Sequence, residues 1–209
     1  MDTEARRAAG IHFESVDLAS SGHDASGWAA FAEGRFDDAA ASWLHIAATS
    51  ALNAPYCLPR AAHAALLAGD VATANLALER LVATGAHGRA LDIDRQSIRA
   101  GIAALEGRSA EAITGYVAAI AGWRELGLPW DEALTEVVAG RVLGTDHPEI
   151  AAAADAARAI LSSLGAVRML AILDAAIAAA PGGKTGARSG QDADAGQHAE
   201  GARETAAAE

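Results

Sequence analysis

Residues 91–127 read LDIDRQSIRAGIAALEGRSAEAITGYVAAIAGWRELG, and the fold turns on this stretch. Leu91, Ile98, Ile102 and Leu105 recur at helical spacing, with Arg95, Gln96 and Arg99 on another face. Past Gly107 the pattern restarts, and Ile113, Tyr116, Ile120 and Trp123 form a second apolar stripe. Ser109 stands where a helix needs a cap, because its hydroxyl can accept an orphan backbone N–H. Two amphipathic helices folded back at a glycine cannot bury both stripes alone, so the pair requires neighbours of the same kind.

Those neighbours are found upstream. Gly34, Gly69 and Gly107 lie 35 and 38 residues apart. Around them other columns agree. Gly27, Ala62 and Ala100 are small where two helices of a pair cross. Ala39, Ala74 and Ala112 stand five residues after each glycine. Trp43, Leu78 and Tyr116 fill the large position nine after it, and Ile46, Leu81 and Ala119 follow three later. Small residues facing one another permit close crossing, and the large residue wedges between adjacent pairs.

The same punctuation predicts helices near 25–33, 36–49, 59–69 and 71–83, with Asn53-Ala54-Pro55 closing the first unit and Pro59 in the first turn of the third helix. Beyond the organising pair, Leu128-Pro129-Trp130-Asp131-Glu132 leads into a helix to about residue 142. Asp146-His147-Pro148-Glu149 reads as a capped helix start, that helix ends at Gly165, and a last one spans 166–180. The expected organisation is a weakly helical or disordered segment at 1–23, a helical repeat domain at 24–180 and a disordered low-complexity tail at 181–209, which holds no large aliphatic side chain.

The stretch 24–126 resembles three tetratricopeptide-type repeats, whose period is about 34. The resemblance implies an all-α fold: a tetratricopeptide-like helical hairpin stack, a right-handed α-solenoid with a C-terminal capping helix. Two departures stand out. The turn-closing proline is kept only as Pro55, and Ala30, Ala65 and Ala103 occupy the position that usually holds a large aromatic. The run WRELGLPWDEALTEVVAGRVLGTDHPE, followed by AARAILSSLGA, is similar to the C-terminal helical region of large bacterial signalling ATPases, namely maltose-activator-like transcription regulators and cyclase-linked ATPases. In such proteins the repeats form a sensor or interaction arm.

Composition narrows the function classes. The 209 residues are 52% hydrophobic, with net charge -11 and a pI of about 5.0. Lys184 is the sole lysine and no basic stripe stands out, which argues against nucleic acid as a partner. The apolar run at 169–180 is broken by Asp174 and too short to span a bilayer. Cys57 is the only cysteine, so no internal disulfide forms. The N-terminus lacks the apolar segment of a signal peptide, and the expected compartment is the cytoplasm.

Candidate chemistry is sparse. Gly182-Gly183-Lys184-Thr185 resembles the end of a phosphate-binding loop, but Ala178 replaces the required first glycine and a helix, not a strand, precedes it. None of the seven histidines pairs with another at the spacing of two ligands on one helix face. Cys57 with His63 lacks a third orienting group. Asp92 and Asp94 point to different faces of a helix, while Asp131 and Glu132 suit a helix's first turn. No catalytic residue, cofactor or metal is expected.

What remains is a groove. In tetratricopeptide stacks the first helices line a concave face, and the matching positions here include Asp24, Trp28, Phe31, Tyr56, His63, Leu66, Asp94 and Ser97. Trp28, His63 and Gly101 replace the asparagines of the clamp that holds chaperone tails, which disfavours a carboxylate-terminated peptide. The expectation is a non-catalytic protein-interaction or regulatory module, with Trp28, Phe31, Tyr56, His63 and Leu66 as partner-binding residues for a protein segment. The rival reading is the detached sensor arm of a multidomain ATPase-type regulator.

Overall fold

A computed structural model describes residues 22 and 24–178. The segment before them, the tail after them and the Gly182–Thr185 motif lie outside the described residues. Within these bounds the chain is all-helical: α1 (24–32), α2 (Phe36–Thr49), α3 (Ala54–Ala68), α4 (Val71–Ala83), α5 (Arg89–Leu105), α6 (Ser109–Leu126), α7 (Pro129–Leu143), α8 (Pro148–Ser163) and α9 (Val167–Ala178).

The three glycines that set the repeat make the same bend. Gly34, Gly69 and Gly107 adopt φ of 76, 82 and 81°, a left-handed conformation that a side chain resists. Each donates its N–H three residues back, to Phe31, Leu66 and Ala104, at 3.0, 3.1 and 3.0 Å. The following residue donates five back, from Arg35, Asp70 and Arg108 to Ala30, Ala65 and Ala103, at 2.9, 2.8 and 2.8 Å. This double closure satisfies carbonyls that a helix end otherwise leaves open. The residue that ends one helix then begins the next, because the carbonyls of Arg35, Asp70 and Arg108 accept from Ala39, Ala74 and Ala112. Gly127 and Gly165 close α6 and α8 in the same way.

Local expectations are corrected at three starts. The third helix begins at Ala54, so Asn53-Ala54-Pro55 opens it; Pro55 holds the first-turn position and Pro59 lies inside. The cap position of α6 is Arg108, so Ser109 is the first helical residue instead of the cap, because the bend uses Arg108 as its last residue. His147, not Asp146, precedes α8, and its Nδ1 sits 2.9 Å from Glu149. Asp70 is a full side-chain cap, accepting from the Thr73 N–H at 3.0 Å and the Thr73 hydroxyl at 2.6 Å.

Small residues fall where helices touch. A Cβ on Gly27 would stand 2.8 Å from the Trp43 ring, and one on Gly115 2.8 Å from the Ala100 Cβ. Ala39, Ala74 and Ala112 are fully buried, as are Trp43 and Tyr116. One continuous core runs from Phe31 to Leu173. Two helices lie at its centre: α3 packs on α2, α4, α5 and α7, while α7 packs on α3, α5, α6, α8 and α9. Glu132 to Gly140 of α7 is buried on every face, so it shows little of the amphipathic stripe that marks its neighbours.

The centrality of α7 changes the geometry expected of the first helices. The Trp28 ring of α1 meets Trp130 of α7 edge-on at 6.0 Å between centroids. The concave face expected from the sequence is therefore covered by α7, which leaves a small hollow instead of an open groove.

Candidate functional site

The hollow is lined by Trp28 from α1, Pro59, Arg60 and His63 from α3, Asp94 from α5, Trp123 from α6, and Trp130, Asp131 and Leu134 from α7. Its free volume is about 30 Å³, room for a water-sized group. Each wall is fixed by its own packing. Trp28 sits edge-on to Trp43 at 5.1 Å and to Phe31 at 6.0 Å. The indole N–H of Trp123 donates to the Thr135 hydroxyl at 3.0 Å. The Trp43 N–H donates to Asp24 at 3.0 Å, which anchors the start of α1 over α2.

Arg60 forms the mouth. Its guanidinium carbon lies 3.3 Å from the Tyr56 ring centroid and 5.5 Å from that of Trp28, a cation resting on two aromatic faces. One guanidinium N–H donates to the Tyr56 carbonyl at 2.6 Å, while the buried Nε has no partner.

His63 is held neutral by its surroundings. The single Ser97 hydroxyl proton goes to the Asp94 carbonyl at 2.9 Å, so Ser97 accepts from His63 Nε2, 3.0 Å away. That fixes the Nε2–H tautomer. Burial, then the neighbouring charge of Arg60, lowers the pKa of His63 to about 4.

The two acids facing the hollow are both raised. Burial, and then the nearby Asp131 carboxylate, push Asp94 up to about 7, against the pull of Arg60 and Arg95. Asp131 is raised by burial, with Arg60 opposing. Arg95 is committed to Asp92 at 2.8 Å. Among the described residues neither Asp94 nor Asp131 forms an ion pair, so two carboxylates share one aromatic-stacked guanidinium at a distance.

Of the residues expected to bind a partner, Trp28, Tyr56 and His63 border this hollow or its mouth, with Tyr56 46% exposed. Phe31 and Leu66 do not line a surface; at 2% and 0% exposure they belong to the core. Asp94 lines the hollow, and Ser97 lies behind it, bonded to His63. Arg60, Trp123, Trp130 and Asp131 were not foreseen. The adjacent Trp130-Asp131 pair carried a signal, an aromatic and an acid at a helix start, which the helix-dipole reading absorbed.

Other candidates resolve structurally. The buried Cys57 thiol is pushed up to about 11 by burial and then by Asp24, so it stays protonated at neutral pH. Asp131 and Glu132 lie in the first turn of α7; Glu132 is buried there and accepts from Arg124 Nε and Nη2 at 2.9 and 2.6 Å. Among the described residues no group of three His, Cys, Asp or Glu side chains is placed to hold a metal ion. No helix among them is long and apolar enough to cross a membrane.

A larger cleft, about 740 Å³, opens between the Gly34 bend, the end of α3 and α9. Phe36, Leu67, Ile172 and Ala175 are part of its floor. Asp37 and Asp38 border it on α2, and Arg168 borders it on α9. Arg35, also at the edge, pairs with Glu33 at 2.8 Å and with Asp38.

No protein-family model, no curated protein and no solved structure matches this chain.

Proposed function

We propose that the chain is a non-catalytic interaction module of tetratricopeptide-like build, working in the cytoplasm, that receives a segment of another protein in the cleft between its first bend and α9. The three like bends and their shared small-residue columns support the hairpin-stack reading. The cleft carries the functional one. It is open, its floor is apolar, and its alanines let a helical backbone approach closely. Asp37 on one rim and Arg168 on the other orient a segment of complementary charge.

Site-specific photo-crosslinking in host cells tests this. A photoreactive residue at Ala171, in the cleft, is compared with one at Leu52, exposed in the turn between α2 and α3. The expected result is a discrete protein adduct from position 171 that Ala175→Arg, an exposed position in the same cleft, abolishes without loss of helicity. No adduct, or the same adducts from both positions, overturns the proposal.

A further inference from the structure

The central hollow has a chemistry that protein docking in the cleft does not use. Three of the chain's four tryptophans wall it. Two acids from different helices, Asp94 and Asp131, face it, and among the described residues neither meets a counter-ion at contact distance. Of the residues that line it, Arg60 carries the positive charge; it lies on the Tyr56 and Trp28 faces and spends an N–H on its own helix, while Arg95 behind Asp94 is paired with Asp92. His63 is neutral and adds no charge. With both acids ionised and Arg60 charged, the hollow carries a net negative charge between aromatic walls.

We propose that this hollow is a binding site for a primary ammonium group, held by Asp94 and Asp131, walled by Trp28, Trp123 and Trp130, and entered past Arg60. An ammonium presents three N–H donors, and the two carboxylates supply more acceptors than it needs. Indole faces attract the same cation through their quadrupole. The hollow admits a water-sized head, which an ammonium matches and a quaternary ammonium exceeds. The group arrives either on a free small amine or on a lysine side chain.

The test uses the full chain and follows tryptophan fluorescence and thermal midpoint during titration with methylammonium chloride. Potassium chloride at equal ionic strength is the control. The expected result is a saturable fluorescence change and a raised midpoint with methylammonium, absent with potassium and with tetramethylammonium. The affinity tightens as pH rises through about 7, where Asp94 loses its proton. Asp94→Asn and Asp131→Asn each weaken it by about tenfold. The second variant changes a different helix, so it decides the matter if the first fails to fold. An equal response from a lysine-bearing peptide identifies a side-chain source, and a response to methylammonium alone identifies a free amine. No saturable response, an equal response to potassium or tetramethylammonium, or full binding by both variants overturns the proposal.

Discussion

Glu136 is wholly enclosed, and neither of its carboxylate oxygens has a hydrogen-bond partner. One turn earlier on α7, Glu132 takes the direct contacts of Arg124, whose nearest nitrogen is 3.8 Å from Glu136. Burial first, then Glu132, push Glu136 up to about 8 against Arg124. An unfolded chain releases that proton near pH 4.3, roughly the ordinary glutamate value. The native state thus binds more protons than the unfolded one between the two values. Its contribution is whole at low pH and is lost as pH rises through about 8. Asp94, raised to about 7, tilts stability the same way. His63, lowered to about 4, works oppositely: its contribution is lost as pH falls from about 6.5 toward 4. Between about pH 7 and 8 the two raised acids outweigh His63. Thermal melts there show a midpoint that falls as pH rises, and Glu136→Gln flattens the fall. An unchanged slope in that variant would place the charge elsewhere.

At the scale of helices, the glycine-closed bend is the recurring unit. Replacing Gly107 by alanine forces a side chain into φ of 81°, although no atom lies within 4 Å of the added Cβ. The cost is therefore conformational, about 1 kcal/mol. Urea melts of Gly107→Ala check it. Gly101→Ala serves as contrast, because there the added carbon would stand 2.4 Å from Leu66 Cδ1 and the loss is one of packing. These bends were legible because glycine, period and small-residue columns all mark the same place. The start of α3 was not, since two prolines four apart compete for one first turn. Pro59 sits far enough into the helix to look like a beginning, yet its missing N–H affects only the opening turns. The candidate site was half legible. His63, Asp94 and Ser97 follow from the first-helix face, whereas Trp130 and Asp131 join them through the crossing angles of successive hairpins, which no local pattern encodes.

In the molecule as a whole, Trp28 and Trp130 join helices 102 positions apart along the chain. Their contact closes α1 onto α7, and the hollow exists only when that closure is made. Trp130→Ala removes one wall and costs on the order of 3 kcal/mol. Hydrogen exchange is expected to speed up in α1 and the start of α7 and to stay near its original rate in the α5–α6 pair, which holds together through Ile98, Ala100 and Tyr116. Uniform acceleration would mean that closure is not a separate step. The doubled role of the bend residues also bears on how this chain tolerates change. At Arg35, Asp70 and Arg108 one position both finishes a rod and starts the next, so a single inserted residue would swing the following helix by about 100° and turn its oily stripe toward water. Variation in length is thereby confined to the slacker joints at 50–53, 84–88 and 144–147, where tags or grafted loops are best accommodated.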